Sequence, residues 1–519
     1  MSRSSLMVAI LAGVVPALAQ AQVSEEVRRA TVDSENVLGT SMHLELAAEA
    51  SKLKGARKAL TAEIERLDGI LSTWNAGSEL RRLPRPCPPT AASVELREVL
   101  AATERWMGAS GGAFHPGVEV LTQLWKLAET RNSEPSSEEL AAALARLREP
   151  LWKLDEASAT VAFLSDVPLS FDGLAKGYII DRAIDAAVRA GARDLVLDIG
   201  GGVRVVGKPR WTVAVADPRA PADNAQPLCK LELENRSVAT SGGYARGFDI
   251  AGKHFSHIFD PRTGKPVTAV LQATVIAPDA TTADALATAL NVLAPGEGLA
   301  LVAKLPGVAS MVVDAQGVQH ASPDWARFVR ASATAAADAP AASGPSVLPR
   351  GGTLVLSFEL QQPPSGGGER GGPPEGRGRG GERGERRGGG YKRPYVAAWI
   401  EDAEGHSIRT LALWIEKPKW LPDLRRWSRL YSRREEVSAV TRATRAPGKY
   451  ELVWDGRDDA GQPAKQGELT LCLEVVREHG TYQLLTAKFE CDGKEFAKDL
   501  TGEGIEVKSA ALAFRWPKS

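Results

Sequence analysis

Residues 194–206, DLVLDIGGGVRVV, read as a strand, a glycine turn and a second strand. Three consecutive glycines suit a tight hairpin. They lack the spacing of a dinucleotide-binding G-x-G-x-x-G that opens a helix, so a Rossmann reading fails. Around this hairpin, over 37–330, helical and strand-like segments alternate with short glycine turns, which predicts one mixed α/β or α+β domain. Residues 53–71 form an amphipathic helix pattern, with Leu53, Ala56, Leu60, Ile64, Leu67 and Leu71 recurring at spacings of three and four. Residues 282–293 read as a second helix, entered from the polar stretch DATT.

Beyond this domain the chain of 519 residues is too long for a single core of ordinary size. It is 43% hydrophobic and 25% charged, with 64 basic and 64 acidic side chains, so no global field draws it toward nucleic acid or an anionic membrane. The start of the chain carries Arg3, an apolar run over 6–18 and an Ala-x-Ala site ending at Ala21. That is the pattern of a signal peptide over 1–21, shorter than the ~20 apolar residues that span a bilayer. The expected mature protein is periplasmic or otherwise exported, and soluble. Cys87, Cys229, Cys472 and Cys491 show no metal or redox spacing; Cys472 and Cys491 would pair only if their strands are neighbours.

Composition shifts to Ala, Pro and Ser over 331–350, the mark of a linker. The region 351–519 then opens on the alternating TLVLSFEL of 353–360. A stretch at 363–390 follows, rich in Gly, Arg, Glu and Pro and expected to be disordered; its six arginines are interleaved with four glutamates, which disfavours RNA binding. Short strands at 395–400, 450–454 and 469–475, separated by turn signals, predict a small all-β sandwich-like domain whose first strand precedes that loop. Its tryptophans, Trp399, Trp414, Trp420, Trp427 and Trp454, read mostly as core.

Four clusters in the first domain carry chemistry. The segment from Asp172 to Tyr178 sets Gly173, Lys176 and Gly177 at a helix start, where backbone groups and one cation meet phosphate. The second is the glycine triplet itself. The third joins ATSGGY (239–244) to HFSHIFDPRTG (254–264), an unusual density of His, Asp, Arg and hydroxyls able to move protons and bind phosphate. In the fourth, Asp284 and Thr288 lie four apart on one face of a small, apolar helix. They are either an oxygen pair for Mg²⁺ or a carboxylate answering the helix dipole.

Taken in order, these segments resemble the ApbE family of FAD:protein FMN transferases. The resemblance runs through Gly39-Thr40, Ser72-Thr73-Trp74, Ser78-Glu79-Leu80, Gly117-Val118, Trp125, LAKGYIID, DIGGGVRVVG, ATSGGY, HIFDPRTGKPV and ADALATAL, covering nearly all of the first domain. It implies an α+β transferase domain over 35–330 with FAD as substrate and Mg²⁺ near the pyrophosphate. By position, Asp284, Thr288 and the carbonyl of Gly173 would hold the metal. Trp74 would pack on flavin, and Ser170, Asp172, Lys176, Ile258 and Arg262 would line the cofactor. His257 would take the proton of an attacking threonine, with AMP leaving. The implied partner is an acceptor flavoprotein with an exposed threonine, membrane-associated.

Two departures from the family pattern stand out. Ser170 occupies a usual aspartate position, with Asp172 able to supply the carboxylate, and His115-Pro116 replaces an Asp-Pro. The second domain resembles an exported β domain found attached to such transferases. Within it EEVSAVT (435–441) resembles the acceptor sequence these enzymes modify, which makes Thr441 a candidate for self-flavinylation. Two rivals stay open: a module that keeps FAD without cleaving it, and a degenerate carrier in which the β domain docks a membrane partner.

Overall fold

A computed structural model of the protein describes residues 26–208, 210–219, 225, 227–242, 247–330, 348, 352–361, 394–414, 422–431, 441–442, 447–459, 462–464, 467–477, 481–490, 492 and 494–516. The signal segment at 1–21, nearly all of the linker, the 363–390 loop, Tyr244, Trp420 and Cys491 lie outside them.

The first region is built on an eight-stranded, wholly antiparallel sheet. In chain order its strands are β1 (Val27–Val37), β2 (Thr40–Glu49), β3 (Ala192–Ile199), β4 (Gly202–Val206), β5 (Arg236–Gly242), β6 (Val270–Ala277), β7 (Ala309–Asp314) and β8 (Gln319–Ala321), and neighbours in this order pair. The 194–206 hairpin is present as β3 and β4. Gly200 and Gly201 take φ of 59° and 85°, and Asp198 Oδ1 accepts from Gly201 N at 3.0 Å to close the turn. A side chain at Gly200 would also sit 2.7 Å from Thr40 on the neighbouring hairpin. The strand β1 starts ahead of residue 35. Its sequence, VRRATVDSENV, gives little apolar alternation because the strand lies at the sheet edge and is largely exposed.

Alternation decides which face each strand residue serves. Leu195, Leu197 and Ile199 join a core with the helices α1 (Leu53–Leu71), α2 (Val94–Ala109), α3 (Ala175–Arg189) and α4 (Ala280–Val292). Val196, Val203, Val205 and Met311 face the other way, against Leu231 and Leu233 of a small hairpin and Trp325. Burying each leucine of these cores is worth about 1.5–3 kcal/mol. In α1 the residues Ala56, Leu60, Ile64, Leu67 and Leu71 are all buried, as the spacing predicts. The helix α4 begins two residues earlier than its pattern suggests, because Asp279 caps it by accepting from Thr282 N at 2.7 Å.

The second region is an antiparallel pair of sheets, apart from one short parallel contact. Strands Thr353–Leu360, Gly448–Trp454, Val507–Arg515 and Phe496–Asp499 form one sheet; Tyr395–Glu401, Ser407–Trp414, Leu469–Val476, Tyr482–Phe489 and the two-residue Thr441–Arg442 form the other. Their inner faces share a core that includes Leu356, Phe358, Trp414, Trp454 and Leu471. Among the described residues one element departs from an all-β expectation. A helix, Arg425–Tyr431, covers the outer face of the second sheet, with Trp427 against Trp399 and Cys472. It is tied down by Glu474, which accepts from Arg426 N and Trp427 N at 2.9 and 2.8 Å, and by Glu401, which pairs with the Arg426 guanidinium. Among the described residues no helix is long and apolar enough to cross a membrane.

Candidate functional site

The site grows from the crossing of α3 and α4. These helices approach so closely at Gly177 that a Cβ there would lie 2.2 Å from the Ala280 carbonyl oxygen. Only glycine permits that approach. It lets Asp284, in the second turn of α4, accept from Gly177 N at 3.0 Å. In return Asp181, one turn further along α3, accepts from Ala280 N and Thr281 N at 2.8 and 2.9 Å, from Thr281 Oγ1 at 2.6 Å and from Arg204 at 2.6 Å.

One turn beyond Asp284 stands Thr288. Its Oγ1 lies 2.8 Å from where a Gly173 Cβ would be, and the ring of Phe114 lies 3.2 Å from the same point. Thr288 thus faces Gly173, and Asp284, one turn earlier on the same helix, faces Gly177 N. The Asp172–Lys176 segment wraps this point: Lys176 Nζ donates to the Asp172 carbonyl, and Ser170 Oγ accepts from Asp172 N at 3.3 Å. Ser170 N is anchored on the Pro116 carbonyl at 2.7 Å, so Ser170 stands beside the 115–118 turn. His115 caps that turn. Its Nδ1 accepts from Gly117 N at 3.0 Å and its Nε2 donates to the Leu147 carbonyl at 3.0 Å, so this histidine is spent on shaping the chain; burial pushes its pKa down.

The electrostatics suit a small hard cation. Burial raises the Asp284 carboxyl, and the charge of Lys176 and the Gly177 N–H act against that rise. Among the described residues Asp284 forms no ion pair, while a hydroxyl and a side-chain-free backbone position stand next to it. A few protein oxygens completed by water and phosphate is the donor set that Mg²⁺ prefers, and these residues fit it. The alternative for Asp284, a carboxylate serving the helix dipole, belongs instead to Asp279 at the N-cap.

The remaining expected residues sit on separate loops. His257 and Ile258 are half-buried where the chain leaves the Lys253–Ser256 strand, with Ile258 N donating to Ser256 Oγ and the Ile258 carbonyl accepting from Val267 N. Arg262 is held by Asp260 through Nε and Nη2, both at 2.9 Å, and its Cγ lies 3.7 Å from where a Gly112 Cβ would be. Residues 112–114 thus pass close to Arg262 at one end and to Gly173 at the other. Trp74 is 86% exposed on a turn where Ser72 Oγ accepts from Asn75 N at 3.1 Å and Ser78 Oγ donates to the Ser72 carbonyl at 2.7 Å. Sequence reasoning assigned no role to Asp181 or Phe114. Asp181 stood at the end of a quoted motif, but its partners, 23 and about 100 residues away, gave no local signal.

A family model described as the ApbE family matches residues 38–312, more than half of the chain. The chain belongs to the ApbE family. Residues 385–507 match a second model, described as a predicted periplasmic protein (DUF2271). Similar curated proteins named FAD:protein FMN transferase include one from Treponema pallidum, 28% identical over 60% of this chain and 90% of the relative, and one from Vibrio cholerae, 30% identical over 47% and 76%. Among solved structures, the ApbE protein of Thermotoga maritima is 29% identical, with a TM-score of 0.52 over 58% of this chain and all of that one. The apo flavinyl transferase ApbE of Pseudomonas stutzeri is 27% identical, with a TM-score of 0.50 over 59% and 98%. The ApbE-like α+β fold and the transferase class of this enzyme rest on these matches.

Proposed function

We propose that this ApbE-family transferase cleaves FAD and places FMN, through a phosphoester, on a threonine of an exported or membrane-associated redox protein. The observation that carries the reading is the meeting of Asp284, Thr288 and Gly173 at the crossing of α3 and α4, with Lys176 beside them. Mg²⁺ held by the Asp284 carboxylate, the Thr288 hydroxyl and the Gly173 carbonyl would offset charge on the pyrophosphate oxygens. Lys176 adds a fixed cation near those oxygens, and Arg262, oriented by Asp260, keeps donors for the cofactor. Trp74 offers an exposed aromatic face for the flavin ring. His257 takes the proton as the acceptor's threonine oxygen attacks the FMN-side phosphorus; the new O–P bond forms, the phosphorus–oxygen bond to AMP breaks, and AMP leaves.

On this reading the chain comprises a signal peptide at 1–21, a transferase domain over 35–330, a linker at 331–350 and a β domain over 351–519, in the periplasm. The match of residues 385–507 to a predicted periplasmic protein supports the compartment. Self-modification at Thr441, in the short strand beside Leu413 and Trp414, is a subsidiary part of the proposal. The test is AMP release from FAD in the presence of an acceptor domain, with and without Mg²⁺. Asp284→Ala and Thr288→Val should each lower it by about a hundredfold or more, the scale on which losing one preorganised stabiliser of transition-state charge acts. Undiminished AMP release by both variants, or by the wild type in EDTA, would sink the metal assignment.

A further inference from the structure

The reciprocal contacts between α3 and α4 give Asp181 a task that the transfer chemistry itself does not require. Its side chain is largely buried, and all four of its hydrogen-bond acceptor positions are used. Oδ1 takes Ala280 N at 2.8 Å and Arg204 Nη1 at 2.6 Å; Oδ2 takes Thr281 N at 2.9 Å and Thr281 Oγ1 at 2.6 Å. Three of these donors belong to the first turn of α4, the helix that carries Asp284 and Thr288. The fourth, Arg204, comes from β4, so Asp181 ties α4 to the sheet as well as to α3. One turn away on α3, Gly177 N meets Asp284 itself. Each helix thus presents a carboxylate to backbone N–H groups of the other, and the two carboxylates fix both the rotation of α4 and its advance along α3. A displacement of α4 along its axis would move Asp284 and Thr288 together relative to Gly173, which precedes α3 and would not follow.

We propose that Asp181 is a positioning residue for the divalent cation held by Asp284 and Thr288: it sets the geometry of that pair against Gly173 through the first turn of α4. This rests on the metal assignment made above. Asparagine at 181 keeps one oxygen and turns an NH₂ toward groups that are themselves donors, so the isosteric change breaks the clamp without altering volume. Loss of a group bonded directly to a metal ligand typically weakens metal binding by about 10–100-fold; Asp181 acts one step further out, through the first turn of α4, and so belongs at the low end of that range.

The experiment is calorimetric titration of Mg²⁺ into the full-length mature protein with no acceptor present, followed by the Mg²⁺ dependence of AMP release with acceptor. Asp181→Asn should raise the Mg²⁺ dissociation constant roughly tenfold or more, and excess Mg²⁺ should restore most of kcat. Thr281→Ala, which deletes one of the four hydrogen bonds, should raise it about threefold to fivefold and decides the matter if Asp181→Asn does not fold. Leu231→Ala, in the core on the opposite sheet face, should lower the melting temperature without moving the Mg²⁺ constant. A folded Asp181→Asn or Thr281→Ala that binds Mg²⁺ as tightly as the wild type would overturn the assignment of Asp181 alone. Wild-type protein that binds no Mg²⁺ would overturn the metal reading, and this inference with it.

Discussion

Replacing Gly177 with alanine sets two known effects against each other. Alanine in a helix interior is favoured over glycine by about 1 kcal/mol, so propensity alone predicts a more stable protein. The added Cβ, however, would lie 2.2 Å from the Ala280 carbonyl oxygen, 2.6 Å from its carbon and 2.8 Å from Thr281 N, all rigid backbone of α4. Contacts below 3.0 Å are not found for real Cβ atoms, so α3 and α4 must part by roughly 0.8 Å or more. Overpacking of this kind costs about 1–3 kcal/mol. The same movement stretches Gly177 N to Asp284 and Asp181 to Ala280 N, charge-assisted bonds worth about 1.5–3 kcal/mol each when lost outright. Even with partial relaxation the packing terms exceed the propensity gain, leaving a net loss of about 3 kcal/mol, or roughly 6–12 °C in melting temperature. Thermal unfolding followed by circular dichroism, beside Gly69→Ala in α1, provides the assay; no heavy atom lies within 4 Å of a Cβ at Gly69. The control should melt at or slightly above the wild type. If Gly177→Ala melted like Gly69→Ala, the close crossing of α3 and α4 would be refuted.

Other outcomes follow from the same geometry. Gly173→Ala should spare folding more than Gly177→Ala, because the nearest atoms are side-chain atoms of Thr288 and Phe114 that can turn aside, yet it should weaken Mg²⁺ binding in a calorimetric titration. Trp74→Ala should leave the melting temperature within about 1 °C, since the ring is 86% exposed, while fluorescence titration shows weaker FAD binding. His43 is held near pKa 9, chiefly by its hydrogen bond to Asp33 and against the effect of burial, from an ordinary value of 6.5. The folded state therefore binds this proton more tightly than the unfolded chain. The contribution is complete below pH 6.5 and is lost as pH rises through about 9, so melting temperature should fall over that window and His43→Gln should flatten the fall.

The sequence carried much of this because local pattern and local structure agree. The amphipathic spacing of α1, the glycine turn of 194–206 and the strands at 353–360, 395–400, 450–454 and 469–475 each declare themselves within a short stretch of sequence. Asp284 and Thr288 were legible for the same reason, since a helix alone puts them on one face. What escaped depends on distant partners or on exposure at a sheet edge. The strand β1 is mostly exposed and lacks alternation. The helix Arg425–Tyr431 lies between strand-rich segments and is held by Glu401 and Glu474, glutamates buried on strands, which sequence pattern alone does not mark as helix anchors. The role of Asp181 exists only once α4 is set against α3.

The measurement that bears most directly on the transferase account is intact-mass and fragment-mass analysis of an acceptor domain after incubation with the mature protein, FAD and Mg²⁺, with AMP quantified in parallel. The account predicts one FMN on a threonine of the acceptor and an equal amount of AMP, with both lowered about a hundredfold or more in Asp284→Ala. Stable FAD binding without AMP and without a mass change on the acceptor would contradict it and leave a protein that holds the flavin intact.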